Sequence, residues 1–263
     1  MPNVRNNHCI LASIFVTFRR QHYENSMIRC PVCSHENDDF AITCTHCKGF
    51  LQNRVPNLNF FETAWGVLES PRKTFRTIAL AEHKNYSLVL FSLFGISLTF
   101  TFMWYFNLGE RFSTLLDLII TALLIGPGVG LVSCLLFLLP FVLFARLMGG
   151  KATVRTSLGV LAYSLTPIVL SLFLVLPIEL LTFGMYLFTS NPHPYVLKPV
   201  SYVMLIGFDV VVTVWTIFLV LLGSMVVHGL SFVRSVVTVA LTLASVCGMF
   251  LLVAQQMAVR PFV

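Results

Sequence analysis

Between Tyr86 and Val263 the chain alternates long apolar runs with short polar breaks, and the runs have the length of membrane spans. Those 178 residues carry 11 charged side chains, whereas the 85 residues before them carry 17. A charge near the bilayer centre costs roughly 2.5–3.5 kcal/mol on insertion scales, which is why such segments are depleted in them. Five spans are predicted, near residues 86–106, 118–147, 157–176, 203–227 and 235–257. The first, with 21 residues, gives roughly 31 Å of helix, enough for the hydrocarbon core. Trp104 and Tyr105 mark its far interface. Gly126-Pro127-Gly128-Val129-Gly130 interrupts the second span, so a kinked or broken helix is expected there. Pro167 lies inside the third, and Pro177 with Glu179 suggests a change of direction or an interfacial segment after it.

Before Tyr86 the periodicity is weaker. Residues 53–85 read as a linker followed by an amphipathic juxtamembrane stretch. Trp65, Leu68, Phe75 and Ile78 would face the membrane surface, and Arg72, Lys73, Arg76 and Lys84 anionic headgroups; a connector packed on the protein is the alternative. Pro71 splits this stretch into two short helices. Residues 1–26 hold a short apolar run from Ile10 to Phe18, with Arg5 before it and Arg19 and Arg20 after it. The run is too short to span and has no small-residue cleavage site. The segment reads as an overcalled start or disordered leader, with Met27 as the natural first residue; an interfacial anchor and a signal segment are the alternatives.

With 57% hydrophobic residues and a mean hydropathy of +0.84, the chain is an all-α polytopic membrane protein with a small polar head. The formal charge of +6 suits a cytoplasmic flank facing anionic lipid better than nucleic acid, since no compact basic stripe with stacking aromatics appears. Arg146, Lys151, Arg155 and Arg234 fall on the same side as the juxtamembrane cations, against Arg111, Lys198 and Arg260 on the other. Positive-inside counting therefore predicts a cytoplasmic head and an external C terminus.

Chemistry concentrates in residues 27–52. Cys30-Pro31-Val32-Cys33 and Cys44-Thr45-His46-Cys47 form two CxxC turns ten residues apart. Each turn sets two sulfurs on one side of a tight loop, and a short β-hairpin between them closes a four-cysteine zinc ribbon. Zinc is the best fit for four thiolates, in a structural site with no position left for water; iron in a rubredoxin-like site is the chemical alternative. His35 and His46 read as exposed neighbours of the cysteines. Lys48-Gly49 suits a knuckle, the glycine relieving the turn and the cation offsetting negative charge. The head resembles zinc ribbons at the N termini of many bacterial membrane proteins, although Ser34 stands where such knuckles often have glycine.

Three stretches carry a further resemblance: Ser70 to Arg76; Gly149-Gly150-Lys151-Ala152-Thr153 leading through Tyr163 to Pro167; and Trp215 through Gly223 to His228-Gly229-Leu230-Ser231. In this order around five spans, the membrane region resembles the Yip domain, named for proteins that interact with Ypt/Rab GTPases. The resemblance implies five spans and a cytoplasmic N terminus. A zinc ribbon ahead of such a domain looks like the bacterial branch, which lacks Rab GTPases, so the eukaryotic trafficking role does not carry over. The sequence holds no HExxH, GxSxG or P-loop, and a non-enzymatic protein is expected.

The favoured role is a scaffold of the bacterial cytoplasmic membrane that docks a cytoplasmic protein through its zinc head. The Gly126-xxx-Gly130 spacing admits a homo-oligomer, although Pro127 favours a kink. The alternative is a small-molecule or ion transporter, using Gly/Pro breaks and the acids Asp117, Glu179 and Asp209. Each acid lies near a predicted span end, where an interfacial position accounts for it.

Overall fold

The computed structural model describes residues 27–259 apart from 39, 54 and 85. The 1–26 leader with Cys9, and Arg260, lie outside the described residues. The chain divides into two compact units, with the boundary between Val55 and Pro56. In the first, strands β1 (Ile28–Arg29) and β2 (Glu36–Asn37) pair antiparallel, Ile28 opposite Asn37 and Arg29 opposite Glu36. An exposed Arg29–Glu36 ion pair of 3.1 Å lies across them, worth at most about 1 kcal/mol in water.

The second unit opens with a juxtamembrane layer. Strand β3 (Val55–Asn57) leads into helices α1 (Phe60–Glu69) and α2 (Pro71–Leu80), and strand β4 (Ala81–His83) returns to pair with β3. Pro71 sits in the first turn of α2, where its missing N–H costs nothing. The layer does not lie flat on lipid as its pattern suggests. Phe75 and Ile78 are fully buried and α2 packs on two helices of the bundle, so only α1 presents its aromatics outward, Trp65 at 66% and Phe61 at 81% exposure. Lys84 turns inward too, donating to the backbone carbonyls of Ile78, Ala79 and Ala81 at the C-terminal end of α2. Burial and the Arg155 charge lower its pKa to about 8, still high enough to hold the proton at neutral pH and cap that helix end.

Five candidate spans follow. They are α3 (Ser87–Tyr105), α4 (Leu115–Leu147), the pair α5 (Val154–Ser164) and α6 (Thr166–Phe183), then after the short helix α7 (Pro194–Leu197) the long α8 (Pro199–His228) and α9 (Phe232–Val259). Of the kink or break expected at Gly126–Gly130, the break does not occur: α4 is one helix of 33 residues through Pro127 and Pro140. The chain breaks instead at Leu165, between α5 and α6. Pro167 there cannot donate to the Tyr163 carbonyl four residues back, and the Thr166 hydroxyl does so instead at 2.7 Å. A freed carbonyl at membrane depth survives only with such a substitute. Pro177 does not redirect the chain, since α6 continues to Phe183.

Continuity of α4 follows from its partner. Between apolar helices in lipid the driving force is close packing rather than exclusion of water, and α3 and α4 achieve it with glycines. A Cβ on Gly95 would collide with the backbone of Gly126 and Gly130, one on Gly126 would come within 2.6 Å of the Ile96 Cα, and one on Gly130 would strike the Phe91 carbonyl. The Gly126-xxx-Gly130 spacing is thus spent inside the chain, on backbone-to-backbone contact with α3. Toward the far end the pair is filled by Phe100, Met103, Leu118 and Ala122 with Phe183 and Phe188, while Leu124 and Leu181 point outward, as lipid-facing side chains must.

Candidate functional site

The four CxxC sulfurs converge. Cys30 Sγ lies 3.5 Å from Cys47 Sγ and Cys33 Sγ lies 3.6 Å from Cys44 Sγ, and all four fall within 4.8 Å of one another. These separations are too long for disulfides. They are close to the edge of about 3.8 Å in a tetrahedron of sulfurs held about 2.3 Å from a central ion.

Two knuckles of the same design set these positions. In the first, the Cys30 N–H donates to the His35 carbonyl and the Ser34 N–H to the Cys30 carbonyl; in the second, the Cys44 N–H donates to Gly49 and the Lys48 N–H to Cys44. The residue four after the leading cysteine is left-handed in both, Ser34 at φ 55° and Lys48 at φ 61°. The turn in the second knuckle is therefore taken by Lys48 and not by Gly49. Gly49 serves space, since a Cβ there would approach Cys47 Sγ to 3.2 Å. His35 and His46 are exposed, their rings 5.5 Å apart, outside the sulfur cluster.

Asn37 ties the hairpin to the second knuckle, and its place in the sequence pattern does not mark it as a functional residue. Its buried side chain accepts from the Thr45 N–H and hydroxyl and donates to the His35 carbonyl and, at 3.5 Å, to Cys44 Sγ. Burial alone would raise the Cys44 thiol, but the Cys47 and His46 N–H groups and Asn37 bring it down to about 6. The Cys33 N–H lowers Cys30 likewise. Cys33 goes the other way: the His35 N–H lowers it, yet burial and the three neighbouring sulfurs push it up to about 12. Four thiolates in this space need a cation among them, and the donor set fits a soft dication.

At one end of the bundle the three family-like stretches meet. Gly149, at φ 89°, ends α4, with the Gly150 N–H on the Ala145 carbonyl at 2.8 Å. A Cβ on Gly150 would come within 2.8 Å of His228 Nδ1. His228, almost fully buried, pairs through Nε2 with the Ser157 hydroxyl at 3.0 Å and rests edge-on against Phe141. Phe75 of α2 reaches the same end and packs beside Gly223 of α8, where a Cβ would sit 3.4 Å from its ring. The Yip1 domain model matches residues 65–255. The chain belongs to the Yip1 domain family. No curated protein and no solved structure matches it.

Within the Yip1 domain the three acids separate into two groups. Asp117 lies in the first turn of α4, which Thr114 caps: the Asp117 N–H donates to the Thr114 hydroxyl at 3.1 Å, and its carboxylate accepts from Ser113 and Thr114 at 2.8 Å each. Glu179 of α6 and Asp209 of α8 instead both line a cavity of about 560 Å³. Glu179 is only 7% exposed. Asp117 thus sits at the end of its span, in the first turn of α4, whereas Glu179 and Asp209 face a cavity inside the domain. Outside the spans, Glu110 accepts from the Ser190 hydroxyl and N–H, which hold its carboxyl below the usual range and pin together two connections of the domain.

Proposed function

We propose that the protein is a non-enzymatic scaffold of a bacterial cytoplasmic membrane, with a zinc-stabilised cytoplasmic head that docks a protein partner. The observation that carries this reading is the closed cluster of Cys30, Cys33, Cys44 and Cys47. Four sulfur ligands leave no open coordination position, so a zinc ion held there has a structural task, and a head this small draws its folding free energy from the ion. The head also exposes apolar side chains it has no need of internally, Val32 at 75% and Phe50 at 59%, which suits a docking face. The basic bias of the head-side connections supports a cytoplasmic head and an external C terminus.

The test is affinity capture of the full chain in mild detergent, beside the Cys30→Ser/Cys33→Ser variant, with metal content measured on both. The expected result is roughly one zinc per chain and a reproducible partner, both lost in the variant. Iron in place of zinc would overturn the metal assignment, and an unchanged partner set would overturn docking through the head.

A further inference from the structure

The cavity beside Glu179 and Asp209 lies wholly within the Yip1 domain, between α3, α4, α5, α6, α8 and α9. Its volume of about 560 Å³ falls in the range of small-molecule sites, about 300–1,000 Å³. Phe94, Phe137, Leu172 and Leu243 give it apolar walls, and its described lining includes no Lys, Arg or His. Five of the hydroxyls that reach it spend their protons locally: Thr213 donates to the Asp209 carbonyl, Thr216 to Val212, Thr242 to Thr238, Ser171 to Ile168 and Thr101 to Ser97. The charge offered to a guest is that of two carboxyls with no protein cation opposite them among the described lining.

Each of these carboxyl groups, when ionised, carries a charge that nothing in the apolar lining compensates, at a cost of several kcal/mol. An anionic guest opposes that charge, and a neutral one can do no more than donate a hydrogen bond to it. A cationic head both donates and neutralises. We propose that this cavity binds a hydrophobic ammonium ion, its amine head on Glu179 and Asp209 and its alkyl body along the Phe94, Phe137, Leu172 and Leu243 walls. The site is independent of the head and its metal.

The probe is a dodecylamine carrying a photoreactive diazirine, applied to the full chain in nanodiscs of neutral phosphatidylcholine, with adducts mapped by mass spectrometry. Adducts are expected on the cavity walls. Excess dodecylamine is expected to reduce them about tenfold while dodecanol does not, and Glu179→Gln with Asp209→Asn to reduce them similarly, as for loss of one charged contact. Equal competition by dodecanol would show a generic apolar cavity and overturn the proposal, as would adducts confined to lipid-facing positions such as Leu124 and Leu181. The competition is read on the unsubstituted chain, so it decides the matter even where the double variant does not fold.

Discussion

Ser34 shows how a single residue can look wrong for its place and still hold it. Its φ of 55° is a conformation in which an L side chain crowds the following carbonyl, a cost of roughly 1–2 kcal/mol that glycine escapes. The two N–H bonds of the knuckle hold it there. Ser34→Gly is accordingly expected to stabilise the metal-loaded head by about 1 kcal/mol, read as slower metal loss to a competing chelator; faster loss would show that the serine hydroxyl contributes something its backbone angle hides. The convergence of the four cysteines is legible from spacing alone, because each CxxC is a local turn. Asn37 is not, because its role depends on Thr45 and Cys44 brought near by the fold, and nothing in a two-residue strand announces that.

At the scale of elements, hydropathy locates the helices and proline misleads about their continuity. Pro127, Pro140 and Pro177 each remove one backbone donor, but all three sit inside uninterrupted helices. A lost bond is tolerable where a neighbouring helix packs tightly, and breaks the chain only where a turn is also favoured, as at Leu165. The glycines beside Pro127 separate by role. Gly126 and Gly130 face α3, whereas a Cβ on Gly128 would meet nothing within 4 Å. Gly130→Ala is expected to lower the melting temperature of the detergent-solubilised chain, at a cost of about 2 kcal/mol or more for an overpacked contact. Gly128→Ala should be neutral or raise it by up to about 1 kcal/mol of helix propensity. Equal effects at the two positions would mean the seam is not where α3 and α4 are held.

For the whole molecule, the order of the family-like stretches along the chain becomes a place: Phe75, Gly150, Gly223 and His228 meet at one end of the bundle, the end that also carries Arg146, Lys151 and Arg155. Their convergence is not readable from sequence, since the stretches are separated by whole spans. The five-span count and the charge bias together predict that a C-terminal alkaline phosphatase fusion is active and a C-terminal green fluorescent protein fusion is dark; the reverse pattern would invert the orientation. The Glu179–Asp209 pair has a bearing on how the protein is made. Glu179 leaves the ribosome thirty residues ahead of Asp209, so during synthesis α6 reaches the insertion machinery with an acid that has no partner, at a cost of a few kcal/mol. Its helix gains a settled place in lipid only once α8 arrives. A nascent chain halted after α6 is therefore expected to show a shorter half-life in pulse-chase than one halted after α8, and Glu179→Leu to erase the difference. The acid would then act as a timer on assembly, marking unfinished chains for removal before they accumulate in the membrane.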